Sequence, residues 1–194
     1  MRRIFLDTET TGLFAQKNRI VEIAAIEVDE DLRPIEVFHA YLNPGQPVGY
    51  SGKIHGLSDE FLKDKKHFSE ISNDLICFLN KAELYAHNLS FDAGFLDAEL
   101  QRSGHPCLEN IIANGVDTLT IARRLFPGAR HALDRLIERF DIDGTSRHEH
   151  HGALIDAKLL IEVFRALVAE EELRRTTRQR LEEPGSVVVN LQDL

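Results

Sequence analysis

The stretch RIFLDTETTG, residues 3–12, is an apolar run that stops on acids. Ile4, Phe5 and Leu6 read as a buried strand, and the two-residue period of a strand sends Asp7 and Glu9 to one face, just where Thr10, Thr11 and Gly12 turn the chain away. Two carboxylates then face one spot. A bare D-x-E is more often a solvated strand end than a site, because acids at strand ends are common, so further acids must converge there before chemistry is implied.

Outward from this strand, residues 19–28 (RIVEIAAIEV) and 36–42 (EVFHAYL) alternate as two further strands. From Ser69 the period turns helical through Ile71, Leu75, Ile76, Phe78 and Leu79, with Ser69 as the expected cap, and ELYAHN (83–88) follows as a short strand. A second helix is predicted with Ser90 as its cap, Phe91, Phe95, Leu96 and Leu100 as its stripe, and Gly104 and Pro106 as its stop. GVDT (115–118) reads as a fifth strand, and TLTIARRLF and ALDRLIERF as helices split by the Pro127–Gly128 turn. A last long helix starts near Ala153 and keeps the 3.6 period through Ala157, Leu160, Ile161, Phe164 and Leu167. Three strands followed by alternating helices and strands predict an α/β fold, a mixed five-stranded sheet flanked by helices. One domain over residues 1–175 is expected, with a C-terminal tail over 176–194 that is disordered or binds a partner.

Composition narrows the function. The 194 residues are 43% apolar and 28% charged, the proportions of an ordinary soluble domain. Cys77 and Cys107 form no C-x-x-C pair, which excludes a disulfide framework and a Cys-rich zinc site and fits a reducing, cytoplasmic compartment. The opening MRRIFLDTET lacks the apolar stretch of a signal peptide, and no run approaches ~18 apolar residues, so no membrane partner is expected. A net charge of −9 argues against a globally basic nucleic-acid surface. It still admits a phosphate substrate, because carboxylates gathered around dications reverse the local sign.

Asp92 and Asp156 each stand four residues before a leucine of an apolar stripe, Leu96 and Leu160, and so lean toward the sheet rather than toward water. An acid near a helix N-terminus is stabilised there without any function, but one on a buried edge needs a partner or a cation. His151 precedes Asp156 by five residues, about 140° away on a continuous helix. With Gly152 loosening the chain, the imidazole can instead swing over a site that Asp156 reaches from the helix. The surrounding HEHH also reads as a hydrophilic loop; a zinc site is disfavoured because the spacing is not H-E-x-x-H.

Hydrolysing a phosphodiester needs a nucleophilic hydroxide near neutral pH and a stabilised leaving alkoxide, and two cations about 3.5–4 Å apart supply both. Hard oxygen ligands select Mg2+ or Mn2+.

The segments IFLDTETTGL, HNLSFDAGFL and HHGALIDAKLL, in this order and spacing, resemble the three motifs of the DEDDh 3′-to-5′ exonucleases, and the match runs from about residue 3 to 168. IHGLSDEFL and FPG-x-x-x-x-L-D-x-L are similar to stretches of one branch of that family, the proofreading epsilon subunits of bacterial DNA polymerase III. The resemblance implies a ribonuclease-H-like fold and release of nucleoside 5′-monophosphates from a DNA 3′ end by a pair of divalent cations. It implies that Asp7 bridges the two metals, that Glu9 and Asp156 complete the nucleophile side, and that Asp92 supports the other metal, largely through water. His151 becomes the general base, a role suited to an unperturbed pKa near 6.5. The Thr10 backbone would read the 3′-hydroxyl, and Leu13, Ile54, His55 and Phe91 would pack on or wedge beside the last bases. His87 stands five residues before Asp92, as His151 stands before Asp156, which makes it a second candidate base; the resemblance gives that role to His151 and leaves His87 a supporting one. The implied partners are the single-stranded 3′ end of DNA, the polymerase III catalytic subunit and a sliding clamp, although the final Gln192–Asp193–Leu194 is no complete clamp motif.

Two alternatives stand beside this reading. Ribonuclease T and oligoribonuclease use the same acids and histidine on RNA. The latter's first motif reads E-M-T-G where this chain has Glu9–Thr10–Thr11–Gly12, whereas the 2′-hydroxyl selection of the former leaves no mark in these motifs. A non-catalytic polymerase-docking module is disfavoured, because without metal four gathered carboxylates repel one another. The basic stretch of Arg123, Arg124, Arg130, Arg135 and Arg139 is interleaved with Asp134 and Glu138, and reads equally as nucleic-acid steering or as a salt-bridged helix face.

Overall fold

The strand β1 (Arg3–Thr10) is the middle strand of a five-stranded sheet in a computed structural model that describes residues 1–145 and 152–182. β2 (Ile20–Val28) pairs antiparallel with β1, and β3 (Pro34–Tyr41) antiparallel with β2. On the other side β4 (Glu83–Ala86) runs parallel to β1, and β5 (Asn114–Asp117) parallel to β4. The order β3-β2-β1-β4-β5, flanked by helices on both faces, is the expected mixed α/β sheet.

Between β3 and α3 (Phe68–Leu79) lie two single-turn helices, α1 (Gly52–His55) and α2 (Asp59–Leu62), too short to leave an apolar period in the sequence. α4 (Leu89–Arg102), α5 (Thr118–Leu125), α6 (Leu133–Arg139) and α7 (Ala153–Glu182) follow. α7 continues unbroken past the boundary expected after residue 175; the remainder of the predicted tail lies outside the described residues.

The alternation of β1 divides the core. Ile4 and Leu6 pack with Phe68, Leu75, Phe95 and Leu96 of α3 and α4, while Phe5 packs on the opposite face with α5, α6 and α7. Phe5, Tyr85 and Phe164 form an aromatic trio with centroid separations of 4.7, 5.4 and 4.9 Å. Truncating a buried ring of this kind to alanine costs about 3–5 kcal/mol, so this face fixes α7 firmly to the sheet.

Two helix starts differ from expectation. α3 begins after His67, whose amide donates to the Glu70 carboxylate at 2.7 Å, leaving Ser69 inside the first turn. α4 begins after Asn88, which takes the left-handed conformation at φ 70°, and not after Ser90. The reason is tertiary. Asp117, at the end of β5, accepts the Asn88 amide at 3.0 Å and also the Leu119 amide of α5 at 3.0 Å, so one carboxylate from a neighbouring strand serves both helix starts.

Candidate active site

Asp7 and Glu9 lie on the α7 face of β1, as a two-residue period requires, and Asp156 lies one turn into α7. Carboxylate oxygens of these three residues all fall within 4.8 Å of one another, and Asp156 is buried. Like charges gathered this closely repel unless a cation or a proton intervenes, and an all-oxygen donor set suits a hard dication.

Asp92 comes from the other side. Thr8 alternates with Asp7 and Glu9 and therefore points toward α4, where its hydroxyl donates to Asp92 Oδ1 at 2.7 Å. Burial pushes the Asp92 carboxyl up to about 7; the Thr8 hydroxyl and the backbone amides of Asp92 and Thr8 pull it down, and the Asp117 charge adds to the rise. The structure thus gathers three of the four predicted acids directly and brings the fourth to the same strand end through Thr8.

A cleft of about 480 Å³ opens here, lined by Asp7, His87, Asn88, Arg123, His131 and Asp156 among others. His87 Nε2 lies 2.7 Å from the His131 carbonyl, which can only accept, so that nitrogen carries a proton; Nδ1 meets Thr118 Oγ1 at 2.9 Å. Both ring nitrogens are occupied in holding the wall of the cleft. His151, the predicted base, and His150 lie outside the described residues.

The model of the family described as Exonuclease matches residues 4–164. The chain belongs to that family. The epsilon subunit of DNA polymerase III from Rickettsia typhi is 44% identical over 192 residues, which cover 96% of this chain and 81% of the relative. Among solved structures, E. coli exonuclease I in complex with a dT13 oligonucleotide has a TM-score of 0.74 at 18% identity, a likeness of fold. It covers 92% of this chain but only 43% of that protein. Exonuclease X in complex with 5′ overhanging duplex DNA has a TM-score of 0.60 at 27% identity, over 85% of this chain and 91% of that one.

The exonuclease motifs therefore sit on a strand end, a helix start and the first turns of a second helix, as the periodicities predict. Around them, Leu13 is 76% exposed and Ile54 50% exposed, so both present apolar surface to solvent. Phe91 is half-buried against Phe95, with centroids 4.9 Å apart. His55 is only 3% exposed. Its Nδ1 accepts the Leu57 amide at 3.1 Å, Nε2 lies 3.3 Å from Ser51 Oγ, and burial lowers its pKa against the Glu22 charge and the Thr10 backbone, which raise it. It fixes the turn that carries Ile54.

The basic stretch divides. Arg135 pairs with Glu138 at 2.7 Å, Arg124 with Glu171 at 2.5 Å, and Arg139 lies over the Phe126 ring, whereas Arg123 faces the cleft. Sequence reasoning missed Thr8, Thr118 and Glu22. Only Glu22 left a signal, as a charge within the apolar run IVEIAAIEV, a strand buried on both faces. Among the described residues no helix is long and apolar enough to cross a membrane.

Proposed function

We propose that the protein is a metal-dependent 3′-to-5′ exonuclease that trims unpaired DNA 3′ ends to nucleoside 5′-monophosphates, proofreading for the catalytic subunit of a cytoplasmic DNA polymerase III. The observation that carries this reading is the convergence of Asp7, Glu9 and Asp156 within 4.8 Å at one strand end, in a chain 44% identical to an epsilon subunit.

The donor set fits a hard dication: three carboxylates and no sulfur, one of them buried where an unbalanced charge is costly. Asp7, Glu9 and Asp156 would hold Mg2+ or Mn2+, with Asp92 supporting from the opposite face. When bound, a pair of such cations activates the attacking water and offsets charge on the leaving oxygen. His151 takes the proton from that water. Thr10 orients the terminal 3′-hydroxyl through its backbone, and the exposed Leu13 and Ile54, together with Phe91, hold the last bases apart so that a frayed end enters more readily than a paired one. Arg123 adds a cation to the cleft for the substrate phosphate.

The test uses 5′-labelled primers. Expected are Mg2+- or Mn2+-dependent shortening from the 3′ end, faster trimming of a mismatched than of a paired terminus, and no shortening when the 3′-hydroxyl is blocked. Equal rates with blocked and unblocked ends would overturn the direction. Faster turnover of matched single-stranded RNA than of DNA would move the substrate to the ribonuclease T type, and no hydrolysis with either metal would leave only a docking module.

A further inference from the structure

Glu22, the third residue of β2, is 2% exposed and stands opposite Glu9 across the β1–β2 ladder. A carboxylate so placed costs several kcal/mol unless its oxygens are met. Oε1 lies 2.8 Å from His39 Nε2 on β3, and Oε2 accepts the Ala153 amide at 3.1 Å. Tyr41 and His55 adjoin it as well: burial and then the Glu22 carboxylate raise the Tyr41 hydroxyl pKa, and the same charge acts on the His55 imidazole. One buried group thus joins β3 to α7, and its charge is felt at the turn that carries Ile54.

Its contact with α7 is at the helix start. Ala153 is the first residue of α7, so its amide is one of those a helix leaves without an internal acceptor, and a negative charge there is favourable. Asp156 stands one turn further on, its amide donating to the Gly152 carbonyl at 2.9 Å. Although Glu22 faces Glu9 in register, it is outside the set of carboxylates that converge, because its oxygens point to His39 and Ala153.

We propose that Glu22 is a positioning residue: by accepting the Ala153 amide it anchors the first turn of α7 to the sheet and so sets where Asp156 meets Asp7 and Glu9. The inference rests on the reading of those three acids as the metal site. A displacement of about 1 Å in one member of a catalytic set costs on the order of a hundredfold in rate, which is why a single hydrogen bond at the helix start matters to the chemistry.

The test compares Glu22→Gln with Glu22→Met in the full chain. Gln keeps an oxygen for the Ala153 amide and turns its amino group to His39; Met fills a similar volume with no acceptor. The readouts are Mn2+ affinity by electron paramagnetic resonance, metal-free hydrogen exchange of the amides at 153–156, and kcat and KM. Glu22→Met is expected to bind Mn2+ about 10–100-fold more weakly, as when a hydrogen-bond partner behind a metal ligand is removed, to lose kcat with KM nearly unchanged, and to exchange those amides faster. Glu22→Gln is expected to stay within about threefold of the parent in all of them. Parent-like Mn2+ affinity and exchange in Glu22→Met overturn the proposal, and so does Glu22→Gln falling as far as Glu22→Met, since the charge and not the hydrogen bond would then matter. If Glu22→Met does not fold, Glu22→Gln decides alone: a Mn2+ affinity lost by more than about tenfold overturns the anchor, and one retained upholds it. If the parent protein bound no Mn2+, the metal-site reading would fail, while faster exchange at 153–156 in Glu22→Met would still uphold the anchor.

Discussion

Thr8 and Asp92 are joined by a buried 2.7 Å hydrogen bond that ties the strand of Asp7 and Glu9 to the helix of Asp92. Because Thr8 alternates with those two acids, the fourth carboxylate reaches the strand end from the opposite face of the sheet. The geometry separates one acid from the other three, and a hydroxyl with no catalytic chemistry of its own links that acid to their strand.

Thr8→Val removes the donor and leaves its buried acceptor unmatched. Urea denaturation at pH 8 without metal is expected to show a loss of about 1–3 kcal/mol. In a double-mutant cycle with Asp92→Asn the two changes should be non-additive by about 0.5–3 kcal/mol, and additive effects would mean that the bond contributes nothing.

Asp92 also makes stability depend on pH. Its carboxyl, pushed up to about 7 in the folded protein, stands above the ordinary value of 3.8. Between those values the folded state binds a proton that the unfolded chain has released. The stabilising contribution is therefore full below pH 3.8 and is lost as pH rises through about 7. Metal-free parent protein should lose roughly 2–4 kcal/mol relative to Asp92→Asn between pH 4 and pH 8, read from paired denaturation curves. Parallel curves would refute the shift.

Asp7→Ala and Asp156→Ala are each expected to remove nearly all hydrolysis with the fold intact by circular dichroism. Without metal their melting temperatures should equal or exceed that of the parent, because one of three mutually repelling carboxylates has gone. Either variant retaining more than about a tenth of the parent rate would count against the two-metal assignment.

The base is tested by histidine variants. His151→Ala should lower kcat by about 10²–10⁴ with metal binding retained, and log k of the parent should climb with a slope near one before levelling. His87→Ala should cost less in rate but lower the melting temperature, since both its ring nitrogens hold neighbours. A deeper loss of rate for His87→Ala, at equal metal affinity, would transfer the role to His87.

Much of the site is legible because its signals are local. A strand's two-residue period put Asp7 and Glu9 on one face from ten residues of sequence, and the same alternation reserved the opposite face for Thr8, although nothing in the sequence said what Thr8 would meet. The helical period likewise placed Asp156 one turn into a helix that begins at Ala153.

The helix caps were not legible. Ser69 and Ser90 are sound local candidates, yet α4 starts at Asn88 because Asp117, 29 residues away, supplies the acceptor.

The sequence alone determined the order of the five strands and the longer helices, the face each acid would occupy and the chemistry that clustered carboxylates suit, since repeat and side-chain type are properties of neighbours along the chain. Only the tertiary structure decided that Asp92 arrives through Thr8, and that Glu22 turns from Glu9 to accept the Ala153 amide across 131 residues. A hydrogen bond between distant residues depends on distances of a few ångströms that exist only once the sheet and its helices have packed, and periodicity carries no record of them.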